Sequence, residues 1–149
     1  RASDAGVPID LIVRGFCCLR PGVPGMSDNI RVTSIIGRFL EHARVFHFRD
    51  GQADPVQGKF FIGSADWMYR NLNNRVEVVT PVEQLPCRRR LWEILEVQLN
   101  DQRQAWDMKP DGDYVQRQPS DPETQIGTHL TLMARALERH HTSREGEVA

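Results

Sequence analysis

Apolar and polar positions along the chain fall into short extended runs and two longer runs at helical spacing. Ile9–Val13 (IDLIV) is apolar and β-branched and is closed by Arg14-Gly15, the pattern of a buried strand. Ahead of it, RASDAG reads as the last turn of a helix capped by Gly6. A helix end, a Gly-Val-Pro connection and an apolar strand make the αβ half of an α/β unit. CCLRPGVPGMSDN, rich in glycine and proline, is a loop. Ile30–Ile36 predicts a second extended segment and Arg38–His42 a turn. Ala43–Phe48 (ARVFHF) is a partly alternating, aromatic strand, RDGQADPVQG turns, and KFFIGSA from Lys59 is its hairpin partner. DWMYRNLNN reads as irregular, and Arg75–Thr80 (RVEVVT) as an alternating strand. Gln84–Asn100 carries Leu91, Ile94, Leu95 and Leu99 on one helical face. A loop with a short strand at Tyr114–Gln116 leads to a helix start at Ser120–Pro122. That helix is expected to run to about His140, ahead of a polar tail.

The composition adds limits. With 149 residues, 40% apolar and 26% charged, the chain reads as one globular domain. No apolar run approaches the ~20 residues of a membrane helix, and the first residues show no signal-peptide pattern. Three cysteines, two of them adjacent, give neither a disulfide framework nor metal-ligand spacing, which fits a cytoplasmic setting. The net charge of −1 argues against bulk binding to nucleic acid. The charge is nonetheless uneven. Between Arg14 and Arg49 six arginines face two acids, an excess of +4 that leaves −5 for the remainder. A local arginine excess permits one anion site.

Two places carry candidate chemistry. Arg14 ends the first strand, where open α/β sheets bind ligands, and a guanidinium there can grip phosphate with two parallel hydrogen bonds. His42 is followed by Arg44, a strand, a turn and a second strand ending in Gly63-Ser64-Ala65-Asp66; Arg70, Asn74, Arg75 and Glu77 come later. Alternation places His42 and Arg44 on one strand face, and the Gly-Ser turn can bring a small donor beside them. Cation, imidazole and hydroxyl together form an anion pocket. His129, His140 and His141 are expected as surface or helix-face residues.

The order His-x-cation, strand, turn, strand, Gly-Ser resembles half of a phospholipase-D-like site. There the cation is lysine and an aspartate follows four residues on; here Arg44 takes the first place, Phe48 the second, and the nearest aspartate is Asp50. The longer strings LIVRG, CCLRPG, SDNI, RFLEH and GSADWM-x-RN-x-x-x-R-x-E occur in the order seen in the last catalytic domain of the bacterial polyphosphate kinase family. The resemblance covers residues 1 to about 137.

It implies an α/β fold, a phospholipase-D-like mixed β-sheet flanked by helices. Residues 1–141 would form that domain without its first strand and helix, and residues 142–149 a disordered tail. The chain would be a fragment of a phosphotransferase that reversibly moves the terminal phosphate of ATP to polyphosphate through a phosphohistidine in a preceding domain. In that family Arg14 and His42 match the residues that contact nucleotide phosphates, with His42 as the catalytic candidate. Arg44, Ser64 and Arg70 are added from the pocket pattern, and Arg20 to Arg38 as part of a polyanion path. ATP or ADP enters as substrate. Magnesium is expected for the full enzyme at upstream residues, with no metal held by this fragment. The expected partners are ATP, polyphosphate, the upstream domain and further copies of the chain. Neither nucleic acid nor a transmembrane segment is expected. The location is cytoplasmic, with a peripheral place at the inner membrane open to the full enzyme. Two alternatives stand beside this: a phosphodiesterase half-site, and a non-catalytic dimerisation module. The isolated fragment is expected to be inactive.

Overall fold

The first residues form a helical turn that Gly6 closes. In the computed structural model, Val7 N donates to Ala2 O (3.1 Å) and Gly6 N to Ser3 O (2.9 Å), with Gly6 at φ +80. This paired closure needs a left-handed residue, which glycine supplies without strain. The structure describes residues 1–146. In chain order the elements are β1 (Ile9–Ile12), β2 (Ile30–Ile35), β3 (Val45–Phe48), β4 (Lys59–Gly63) and α1 (Tyr69–Asn74). They continue with β5 (Val79–Pro81), α2 (Leu85–Asn100), β6 (Ala105–Met108), β7 (Tyr114–Gln116) and α3 (Thr128–Gly146). The α/β class holds: mixed sheets flanked by helices. The stretch expected as one domain falls into two compact units, Arg1–Glu41 with Val97 onward, and His42–Glu96.

The first unit is built on a four-stranded sheet ordered β1-β2-β6-β7. β1 and β2 run parallel (Ile9↔Ile30), while β2–β6 and β6–β7 are antiparallel (Thr33↔Asp107, Trp106↔Gln116). β2 is central, and its Val32, Thr33, Ser34 and Ile35 are all buried beside Ala105 of β6. β6 was not legible as a strand because it carries a charge inside the sheet. Asp107 is matched there by Arg117, whose Nε and Nη2 donate to its two oxygens (2.9 and 2.8 Å), and by the Thr33 hydroxyl (2.9 Å).

α3 begins at Thr128 rather than at Ser120–Pro122, which leads only into a 3-10 turn at Glu123–Gln125. The reason is tertiary. Asp101, at the end of α2, accepts from Thr128 N and Thr128 Oγ1 (both 2.6 Å) with one oxygen, and from Arg103 N and Gln104 N with the other. A partner distant in sequence thus caps the helix. α3 continues to Gly146, beyond the end expected near His140, and residues 147–149 of the anticipated tail lie outside the described residues. His129, expected on a surface or a helix face, lies in the first turn of α3 and is buried there.

The second unit carries the antiparallel sheet β3-β4-β5. The hairpin pairs Phe46 with Phe61 and His47 with Phe60. Phe60 is fully buried; the His47 ring packs on it and on Trp92 of α2, and His47 Nε2 meets Pro55 O (2.9 Å). His47 is therefore a core residue. Asp50 (φ 53) and Gly51 (φ +76) form the tight turn that Gln52 N closes onto Arg49 O (3.0 Å). Two expectations change here. DWMYRNLNN contains a helix, α1, whose first turn has no side-chain cap and so leaves no cap signal in the sequence. The strand expected at Arg75–Thr80 is only β5, Val79–Pro81. Ahead of β5, the Glu77 side chain and Val78 N are taken by side-chain partners, and the backbone pairing ends with one bond from Ser64 N to Val78 O.

A candidate phosphate-binding site

The hairpin brings the two halves of the predicted pattern together. β3 starts at Val45 opposite Ile62, and the residue before it, Arg44, accepts Gly63 N at its carbonyl (3.0 Å). His42 and Arg44 are therefore not on one face of a strand, because both precede it. They meet because the Arg44 side chain turns back: Nη1 donates to His42 Nδ1 (3.1 Å) and to His42 O (3.3 Å). Arg44 Nε donates to Asp66 Oδ1 (3.1 Å), and the two side chains are 18% and 28% exposed. Asp66 fixes Arg44, Arg44 meets His42, and His42 itself is exposed.

Ser64 sits beside this group but is already engaged. Its hydroxyl donates to Glu77 Oε2 and accepts from Val78 N (3.1 Å), while Ser64 N donates to Val78 O (3.0 Å). Asn71 Nδ2 donates to Glu77 Oε1 (2.7 Å). The Ser64 and Asn71 hydrogen bonds hold the Glu77 carboxyl below its ordinary range, aided by the charges of Arg75 and Arg44. The sequence pattern singled out Asn74 and Glu77 but named no partner for the carboxylate. The structure uses Asn71, the buried residue of α1, which could not be singled out while that segment read as irregular. Arg70 is exposed on the same helix.

Arg14 belongs to the other unit. It follows β1, whose ladder is prolonged by Val13 N to Thr33 O (2.9 Å), and it is exposed at the carboxyl end of that strand. Gly15, at φ +85, turns the chain away directly after it. β1 has only β2 as a neighbour in the sheet among the described residues.

No group of three or more His, Cys, Asp or Glu side chains among the described residues could hold a metal ion. The carboxylates beside Arg44 and Ser64 accept hydrogen bonds from the chain itself, Asp66 from Arg44 and Glu77 from Ser64 and Asn71. What remains for a ligand is cationic and donor chemistry, suited to an anion. No helix among the described residues is long and apolar enough to cross a membrane.

Residues 1–127 match the family described as polyphosphate kinase C-terminal domain 2. The polyphosphate kinase of Thermosynechococcus vestitus is 60% identical over 136 residues, covering 91% of this chain and 18% of that protein. That of Pseudomonas aeruginosa is 49% identical over 133 residues, 89% of this chain and 19% of that one. The crystal structure of the polyphosphate kinase from Porphyromonas gingivalis matches with a TM-score of 0.85 at 40% identity, over 95% of this chain and 21% of that chain. The chain thus spans less than a quarter of the length of each of these relatives.

Proposed function

The chain belongs to the polyphosphate kinase C-terminal domain 2 family, and from that premise we propose that it is the nucleotide-phosphate-holding part of an ATP–polyphosphate phosphotransferase. The enzyme would move the terminal phosphate of ATP reversibly to polyphosphate through a phosphohistidine in a preceding domain. The partners are then ATP or ADP, polyphosphate, that upstream domain and further copies of the enzyme, in the cytoplasm or at the periphery of the inner membrane. The observation that carries the reading is the exposed His42 beside an arginine that a carboxylate holds in place.

Phosphoryl transfer asks little of the protein beyond positioning and charge stabilisation, because charge spreads over the equatorial oxygens of the moving group. Arg14 and Arg44 supply permanent positive charge. His42 supplies a ring N–H, and Arg70 a further cation at the margin. Ser64 contributes indirectly: with its hydrogen given to Glu77, it fixes the turn after β4. Magnesium, where the full enzyme uses it, would be held by upstream residues.

Measuring polyphosphate synthesis by the full-length enzyme tests this. Arg14→Ala and His42→Ala should each lower kcat/KM by ~10²-fold or more, as loss of a preorganised donor typically does. Wild-type turnover in both variants overturns the reading. The isolated chain should bind nucleotide without turning it over.

The phosphodiesterase alternative is disfavoured by Asp50. It lies past the far end of β3 from His42, in the hairpin turn, paired with Lys59 at 2.9 Å. Phosphodiester hydrolysis by the isolated chain would restore that alternative.

A further inference from the structure

We infer that His42 acts as a neutral Nε2–H hydrogen-bond donor, set in that tautomer by Arg44, which Asp66 orients. The inference rests on the reading above, that His42 meets a phosphate, and it assigns the form in which it does so.

A guanidinium has five hydrogens to offer and no acceptor. The Arg44 Nη1 contact to His42 Nδ1 at 3.1 Å is therefore a hydrogen bond only if Nδ1 presents its lone pair. The single hydrogen of a neutral imidazole then resides on Nε2. Arg44 is not a loose surface side chain making this contact by chance. Its Nε is held by Asp66 Oδ1 at 3.1 Å and the same Nη1 also reaches the His42 carbonyl at 3.3 Å, so the plane of the guanidinium is fixed from two sides.

This arrangement is the reverse of what a nucleophilic or basic imidazole needs. Such a ring gives the hydrogen of one nitrogen to an acceptor and keeps the other lone pair free for the reacting atom. In His42 the nitrogen away from Arg44 carries the hydrogen. To free it, that hydrogen would have to move to Nδ1, where Arg44 already points one of its own. His42 can thus steady a phosphate oxygen, but it is not arranged to attack phosphorus. Arg44 and Asp66 are positioning residues in this scheme, although Arg44 also contributes its charge.

Amide substitutions in the full-length enzyme separate the roles. The side-chain amide of glutamine reaches to about where Nε2–H stands; it can donate but can be neither titrated nor phosphorylated. His42→Gln should keep kcat/KM within ~10-fold of wild type, while His42→Ala and His42→Asn should lose ~10²-fold or more. A His42→Gln enzyme as impaired as His42→Ala overturns the donor assignment and leaves His42 at the phosphate. Wild-type turnover in all three overturns the underlying reading instead. His42 is exposed, so unchanged melting temperatures should accompany these variants. The positioning role has its own readout. Asp66→Ala should lower kcat/KM in the wild-type background and much less in the His42→Gln background, where no tautomer remains to be set. An equal loss in both backgrounds overturns that role. Neutron diffraction from deuterated full-length enzyme should place deuterium on His42 Nε2; deuterium on Nδ1 overturns the tautomer.

Discussion

One carboxylate, that of Glu41, serves two buried donors: its Oε1 lies 2.8 Å from His129 Nε2 and its Oε2 takes Gln98 Nε2 at 2.8 Å. His129 is 4% exposed, and its Nδ1 faces the donors Phe39 N (3.4 Å) and Gln104 Nε2 (3.3 Å). The ring therefore carries its hydrogen on Nε2 and gives it to Glu41. Glu41→Ala would leave an imidazole and an amide buried without an acceptor, at a cost of about 2–4 kcal/mol. Glu41→Gln keeps one acceptor oxygen and should cost less. Urea denaturation of the two variants against wild type checks the order. Because Glu41 immediately precedes His42, the alanine variant should also lose activity.

Acid should weaken the fold through carboxylates held ionised. Burial alone would raise Asp101, yet the bonds from Gln104, Thr128 and Arg103 more than offset it and leave its carboxyl below the ordinary range. Burial also opposes ionisation of Asp107, where the Arg117 and Thr33 bonds prevail, with the charges of Arg117 and Lys109 adding to them. With a folded pKa below the unfolded one, each contributes stability that is fully present above the unfolded aspartate value of ~3.9. That stability is lost as pH falls through the lower folded value. Unfolding free energies measured from pH 7 to pH 2.5 should drop below about pH 4, and Asp101→Asn should flatten the drop while lowering the plateau.

Arg117 binds both Asp107 oxygens and also the carbonyls of Leu99 (2.8 Å) and Asp101 (3.0 Å). Lysine offers one point charge where this site uses a planar fork. Arg117→Lys should destabilise by about 1–3 kcal/mol, and Arg117→Ala by more, since it strands a partly buried Asp107. Thermal unfolding reports both.

Asp50 and Lys59 form an exposed pair in a turn, worth about 0–1 kcal/mol. Asp50→Asn should leave polyphosphate synthesis unchanged, and asparagine tolerates the positive φ of that position. A large loss of activity would return Asp50 to the chemistry.

Much of this was legible in the residues. β1, the hairpin β3–β4 and α2 announce themselves through apolar runs and spacing, although β1, expected as a buried strand, and the apolar face of α2 are only half-buried. Gly6 and the Asp50-Gly51 turn are visible because positive φ restricts residue choice. The hairpin alone placed Arg44 beside the Gly63-Ser64 turn, whereas His42 meets Arg44 through a side-chain bond that strand alternation did not foresee. What stayed hidden depends on partners far along the chain. β6 hides Asp107 behind Arg117, α3 waits for Asp101, and Ser64, expected as a phosphate donor, gives its hydrogen to Glu77, which Asn71 of α1 also holds. The burial of His129 stayed hidden because nothing near it in sequence announces Glu41.

The strand order of the first unit has a consequence for how the chain assembles. Thr33 on β2 and Asp107 on β6 are 74 residues apart, and the whole of the second unit lies between them in sequence. The second unit is a contiguous stretch whose strands pair with their sequence neighbours, and such local topologies form quickly. The first unit must wait for a long loop to close. On the ribosome its β1–β2 pair emerges early but gains β6 only after the entire His42–Glu96 segment has been made. The inserted unit would then be complete while its host is still half a sheet, so defects in the insert reach the host first as a delay in closure.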